Sequence, residues 1–385
     1  MKRHLFFVAL AGIVLASCVK NDVKSPLTKE VRIGFAAPVL YTNVDSKAAV
    51  YGEIGSHMYP GTNTNYSYPR EESFRIFAVE HSGNLVSWET NTEAADFNNT
   101  AISYNGSLDA WAPITAGGGF YYWPDNKMLS FAAVSPANLE LGDAVVPTYG
   151  KTGVEIKDFT VADDPALQYD LLFSKRCVNA TAGSMIDGAD YYSGVPIVFQ
   201  HALSSIHFSL KKDATVTETV TLVSITLKNV KKKATFNENI TNEVVYASAP
   251  AWTVSAANED KKNYVSFTGE VEFPINPRYV SDLAASDDVE GQPKDNDVSH
   301  PLLMIPQSLG NDVVVEVQYK VGAEVKTRNV QINQYPAVSP IVSWEVGTRY
   351  TYRLYYSQDA QLDDIIYFSP STEGWTEGRI IEVLL

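Results

Sequence analysis

Two cysteines and six histidines are the side chains of this chain best suited to nucleophilic, acid–base or metal chemistry. Cys18 closes the run Leu15-Ala16-Ser17-Cys18, after a charged Lys2-Arg3-His4 start and an apolar stretch at 5–15. That stretch is too short to span a bilayer, and the small residues before the cysteine resemble a bacterial lipobox. The chemistry there is acylation: the Cys18 thiol takes a diacylglyceryl group before cleavage leaves it N-terminal. Several acyl chains anchor a protein stably where one does not. The other reading of the same residues is an ordinary signal peptide with a chance cysteine. Cys177 is then left alone, so there is no disulfide framework and no CxxC pair for zinc or redox work. Exported chains with large cores do not need disulfides.

His201 and His207 sit six apart on one stretch. They straddle a change of phase, so they need not share a face, and a zinc site needs a third converging ligand. A core-facing histidine held by a hydrogen bond accounts for each. His57, His81 and His300 fall in separate loops. Gly117-Gly118-Gly119 has no Lys-Ser/Thr after it and opens no helix, so it is a turn and not a phosphate cradle. Asp163-Asp164 and Asp295-Asn296-Asp297 lack the central Gly and terminal Glu of a calcium loop. There is no GxSxG and no HExxH. A carboxylate pair for glycoside hydrolysis is neither assigned nor excluded by sequence. The chain reads as a non-enzyme with no cofactor.

The totals bound the rest. A length of 385 residues suggests two or three domains, and 45% apolar content is ample for real cores. The formal net charge is −15, and removing residues 1–17 with Lys2 and Arg3 brings the mature chain to about −17. That balance argues against duplex nucleic acid and against a polybasic membrane contact. The local basic run Lys231-Lys232-Lys233, with Lys211-Lys212, reads as solvated strand ends.

The elements that must position these residues are strands. Residues 195–210, VPIVFQHALSSIHFSL, organise the chain. At a period of two, Val195, Ile197, Phe199, His201 and Leu203 share a face; then Ile206, Phe208 and Leu210 carry it on, with the slip at Ser204-Ser205. A strand that feeds a core across a one-residue slip has a bulge or sharp bend there. The stretch reads as the first long strand of a second β domain. Before it, Ile33 and Phe35 alternate in a first strand, 74–79 makes the next, and 85–88 completes a hairpin with it. Residues 129–135 and 169–173 follow. After it come 222–230, 264–267, 271–273, the clean alternation Val313-Val315-Val317-Tyr319-Val321, and Tyr350-Tyr352-Leu354-Tyr356. No stretch of twelve residues has a helical period. Short strands separated by turn signals make an all-β chain of sandwiches. The expected division is 1–17 signal peptide, 18–30 tether, 31–187 first sandwich and 188–385 second sandwich, joined by a small, polar linker near 185–194. The 22 Tyr and six Trp pack cores and hairpins, or in part form an aromatic platform for sugar.

Several stretches together resemble the fimbrillin-like family of Bacteroidota, the type V pilins. They are the LASC lipobox, Phe35 followed by Ser46-Lys47-Ala48, and Ser73-Phe74-Arg75-Ile76-Phe77-Ala78. They continue with Trp111, Tyr121-Tyr122-Trp123-Pro124 and Phe131-Ala132-Ala133-Val134-Ser135-Pro136. The second half adds 198–206, Leu303-Met304-Ile305-Pro306-Gln307 and Trp344, Gly347 and Tyr350-Thr351-Tyr352. The resemblance implies two transthyretin-like β-sandwiches in tandem. It implies export as an outer-membrane lipoprotein through Cys18. A surface trypsin-like protease would then cut the Lys47–Ala48 bond and remove the first strand, 31–47; Lys47 stands where Arg is commoner, and Arg32 is the worse candidate because it sits inside the strand. The vacated groove would accept a strand from a like or related subunit, head to tail, and such a contact builds a filament. Ile381, Val383 and Leu385 alternate as a donor strand would, and equally as the last strand of the second sandwich would. The alternative function is a surface lipoprotein that binds glycan or another ligand and never polymerises.

Overall fold

The structure is a computed structural model. It describes residues 32–35, 39–41, 65–67, 70, 72–90, 92–107, 110–113, 120–137, 146–181, 194–242, 247–280, 301–334, 340–359 and 362–374. The strands of its first half are β1 Val39–Tyr41, β2 Asn65–Ser67, β3 Ser73–His81, β4 Thr92–Ala94, β5 Thr100–Asn105 and β6 Ala110–Ala112. Next are β7 Met128–Ser135, β8 Thr148–Gly150, β9 Gly153–Thr160, β10 Leu172–Ser174, β11 Cys177–Ala180 and β12 Val198–His201. Then come β13 Ser204–Lys212, β14 Val220–Lys231, β15 Lys233–Asn237, β16 Ile240–Asn242, β17 Ala247–Ser248 and β18 Ala251–Val254. The last are β19 Lys261–Glu272, β20 Arg278–Tyr279, β21 Leu302–Met304, β22 Val314–Val321, β23 Glu324–Gln331, β24 Thr348–Asp359 and β25 Leu362–Gly374. The chain is all-β, as its short turn-bounded strands require.

The largest sheet runs β2-β1-β12-β10-β7-β3-β5-β6, with β4 also on β3 and β11 on β7. Its central strands are buried on both faces. Phe74, Ile76 and Ala78 of β3, with Leu129, Phe131 and Ala133 of β7, face one core. Phe77, Val79, Ala132 and Val134 face another. That is why 76–79 and 131–134 read as apolar runs and not as alternation. The second core runs on through β9, β13, β14, β15, β22 and β24 to Tyr356.

Two four-stranded sheets, β19-β14-β22-β23 and β18-β15-β9-β8, and a sheet β20-β13-β24-β25 with β21 on β13, complete the main layers. In β22, Val315, Val317 and Tyr319 turn inward while Glu316 and Lys320 meet Lys228 and Glu270 outside. This is the alternation expected of a strand with one wet face.

Two expectations need correction. Residues 195–210 are not one long strand: β12 belongs to the largest sheet, and after Ala202-Leu203 the chain enters β13 of another sheet. The hairpin partner of β3 is not 85–88 but β4. Leu85 N–H donates to the Asn179 side chain at 2.6 Å, and Trp88 is buried under Arg176, so this segment plugs a core without joining a ladder. Among the described strands, pairing also crosses residue 187/188 three times, β1 and β10 with β12 and β9 with β15. Residues 182–193, where the linker is expected, lie outside the described residues.

Candidate functional site: the groove of the first strand

The first strand is described in two pieces, 32–35 and β1. Alternation in Arg32-Ile33-Gly34-Phe35 sends Ile33 and Phe35 into the core, 1% and 4% exposed, and leaves Arg32 in solvent. Ile33 N–H donates to Tyr121 O at 2.9 Å and Phe35 N–H to Trp111 O at 2.8 Å. On the opposite edge Val195 N–H donates to Gly34 O at 2.9 Å. The segment therefore pairs antiparallel with Trp111 and Tyr122 and parallel with Val195. Further on, β1 lies parallel to β12, with Val39 opposite Val198 and Leu40 opposite Phe199, and β2 lies antiparallel on its far side. Among the described residues β2 pairs only with β1. The first strand thus stitches the β6 side of the largest sheet to the β12 side.

The side chains fill a pocket of rings. Phe35 meets Phe74 and Phe131 edge-on, with centroids 5.9 and 5.8 Å apart. Phe74 in turn touches Trp111 and Phe199, each at 5.7 Å. Edge-to-face contacts of this kind add to plain burial, and burying Ile33 and Phe35 stabilises by about 1.5–3 kcal/mol each. Outside, the Arg32 guanidinium lies 4.5 Å over the Phe120 ring. Without residues 32–41, the carbonyls of Tyr121 and Trp111 and the N–H of Val195 would lose ladder partners beside an open apolar floor. Such an edge is a template for another strand.

The sequence pointed to Ile33 and Phe35 but not to the residues that line the groove. Trp111, Tyr121 and Phe131 stand among the stretches that carry the family resemblance, yet nothing in local alternation says that they meet the first strand. Cys18, Lys47, Ala48, Ile381, Val383 and Leu385 all lie outside the described residues. Arg32 sits in the ladder as expected, with its side chain exposed.

The three described histidines, His81, His201 and His207, are held inside the fold. His201 Nδ1 lies 2.8 Å from Asp170 Oδ2, with both side chains buried. His207 bonds Ser205 Oγ at 2.7 Å. His81 bonds Gly83 O at 2.8 Å and Ser130 Oγ at 2.9 Å. Among the described residues no three His, Cys, Asp or Glu side chains converge as metal ligands. The basic run at 231–233 is more than a solvated strand end. Lys232 and Lys262 both reach Asp163 at 2.8 Å, and Lys233 reaches Asp158 at 3.0 Å. Hydrogen bonds from those two lysines hold the Asp163 carboxyl below its ordinary range. Asp164 instead caps a short turn, accepting from Ala166 N at 3.0 Å. Trp88, Trp111 and Trp344 are all buried, so these three serve cores.

This geometry defines a class: an all-β chain whose first strand is seated between two edges, paired on both. Residues 69–375 match the Fimbrillin-like family, and the chain belongs to that family. The match begins just beyond β2. Among solved structures, a fimbrial protein from Bacteroides vulgatus is 18% identical, with a TM-score of 0.48 over 90% of this chain and 99% of that one. A candidate cell adhesion protein from Bacteroides uniformis is 14% identical, with a TM-score of 0.48 over 90% and 100%. Another from Bacteroides ovatus is 13% identical, with a TM-score of 0.44 over 91% and 99%. No curated protein matches the chain.

Proposed function

We propose that this chain is a structural subunit of a fimbria that supports adhesion at the cell surface, built of two sandwiches in tandem. It is exported as a lipoprotein through Cys18, cut between Lys47 and Ala48, and polymerised head to tail by donor-strand exchange. The observation that carries this reading is the seat of the first strand. Ile33 and Phe35 fill an aromatic pocket, while their backbone is held on both edges by hydrogen bonds that any strand can make. Ladder bonds supply affinity and alternating side chains supply register. Family membership supports the same reading.

The test is limited trypsin digestion of the lipid-free mature protein, followed by N-terminal sequencing and a sizing run. The expected result is one early cut with Ala48 as the new N-terminus, then SDS-resistant ladders. A chain that stays whole at Lys47, or is cut there and remains a stable monomer, overturns the polymerising reading and leaves the non-polymerising lipoprotein.

A further inference from the structure

The groove is shaped by the strand it holds. Two features of that strand are selective. Phe35 fills a pocket walled by Phe74 and Phe131 at 5.9 and 5.8 Å, and the Arg32 cation lies 4.5 Å over Phe120. Position 34 is less demanding, because a β-carbon there meets only Trp111 O at 3.8 Å, an ordinary contact. Both inward positions must keep an N–H, for Tyr121 O and Trp111 O, so neither accepts proline. The groove asks for a cation, an aliphatic residue, a residue of little consequence and an aromatic ring, in that order.

The candidate donor segment of this chain, 379–385, reads Arg-Ile-Ile-Glu-Val-Leu-Leu and contains no aromatic residue. Laid along the groove in the direction of the first strand, it has two registers that keep its carboxylate out of the core. One puts Glu382 in the place of Arg32 and Leu385 in the place of Phe35. The other puts Ile380 and Val383 in those places. Neither restores the cation or the ring. The single register that returns a cation, Arg379 in the place of Arg32, drives Glu382 into the aromatic pocket, where a lone carboxylate is costly. A branched aliphatic residue in a pocket shaped for phenylalanine leaves part of it unfilled.

Resting on the donor-strand reading above, we infer that the groove prefers a donor from a related subunit carrying the cation–aliphatic–x–aromatic pattern over the 379–385 segment of a second copy. A second copy still serves as donor where no better one is offered, and the better-fitting donor displaces it at a junction between unlike subunits. Specificity here is the difference between two fits to one groove.

The test uses protein cut after Lys47 and stripped of its first strand in mild denaturant. It is offered two peptides, residues 31–37 and residues 379–385, and binding is read by fluorescence anisotropy. The expected result is binding of the first at least about tenfold tighter than the second, or about 1.4 kcal/mol. Equal binding of the two overturns the selection and leaves donor-strand exchange standing. Binding of neither overturns the donor-strand reading, and the inference falls with it. A second measurement needs no cleavage: in the full mature chain, Phe35→Leu and Arg32→Glu each lower the thermal midpoint. If neither moves it, the groove has no such preference.

Discussion

The Glu238 side chain fills the space that a side chain on Gly153 would need. A β-carbon on Gly153 would lie 2.2 Å from Glu238 Oε2 and 2.9 Å from its Cβ. Glu238 is fully buried, and its Oε2 accepts from Val154 N at 3.0 Å. The contact closes the end of the β9–β15 ladder, where Glu238 N–H also donates to Val154 O at 2.9 Å. Gly153 has φ +90°, a conformation that side chains rarely adopt. Gly153→Ala therefore meets both strain and a clash with a buried carboxylate. A loss of about 3 kcal/mol or more is expected, at the upper end for single substitutions. Glu238→Gln keeps an oxygen acceptor and should cost less than Glu238→Ala, which leaves Val154 N–H without it. Urea unfolding of the three variants checks the order. A Gly153→Ala variant as stable as wild type would sink the argument.

How much of this was legible in the sequence varies with the range of the interaction. The phase slip at Ser204-Ser205 was visible, and its cause is now plain. Val195, Ile197 and Phe199 face the core of the first strand, whereas Leu203, Ile206, Phe208 and Leu210 face the larger core. A strand that changes sheet must change phase, but alternation alone cannot say whether it bends within one sheet or leaves it. Val313–Val321 and Tyr350–Tyr356 were legible because each buries one face. The pairing of β9 with β15, and of β13 with β24 in parallel, joins residues far apart in the chain, and local pattern carries no record of it. The same limit hid the groove: Ile33 and Phe35 announce a strand, while Trp111 and Tyr121 do not announce that they hold it. Leu85 and Trp88 misled because a buried loop plug has the same apolar spacing as a strand.

Asp170 and His201 form a buried pair at 2.8 Å that ties the start of β10 to β12, the strand beside the groove. Asp170→Ala leaves the buried imidazole without this partner, and a loss of about 1–3 kcal/mol is expected. Removing both, as Asp170→Ala with His201→Phe, should cost less than the sum of the single changes. A double-mutant cycle in urea measures this. Strict additivity would show that the two groups do not act as a pair.

Cys177 lies in β11 against the core, and burial pushes its thiol up to about 11. Reaction with a disulfide reagent requires the thiolate. At about pH 8 the folded protein should react roughly a hundredfold more slowly than the chain in urea, since about two pH units of thiolate population separate them. Absorbance kinetics with a chromogenic disulfide decide the matter. Equal rates would mean that the site opens freely.

Asp213 sits at the end of β13 and takes three hydrogen bonds. Tyr355 O–H donates to its Oδ2 at 2.5 Å, and Thr215 donates to its Oδ1 through N–H at 2.8 Å and Oγ1 at 2.7 Å. The Tyr355 bond is the main cause that brings the carboxyl down to about 2. Asp163 and Asp312 are lowered as well, by hydrogen bonds from lysines. In each case the folded carboxyl binds its proton less readily than the unfolded one. Their contribution to stability is therefore complete above the ordinary carboxyl range, near about pH 4, and is lost as the pH falls from there toward about 2. Between neutral pH and about pH 5 these groups should leave stability unchanged. Asp213→Asn cannot take up the proton, so its unfolding midpoint should fall less steeply below about pH 4 than that of wild type. The amide oxygen can still accept from Thr215, so the variant should fold. The bonds that hold Asp163 run to half-buried lysines while the carboxylate itself is open to solvent, so raising the salt should weaken that part of the acid sensitivity and leave the Asp213 part in place. Urea midpoints across this range, at low and high salt, separate the two. Parallel acid losses in wild type and Asp213→Asn would show that Tyr355 does not hold this carboxylate in its ionised form.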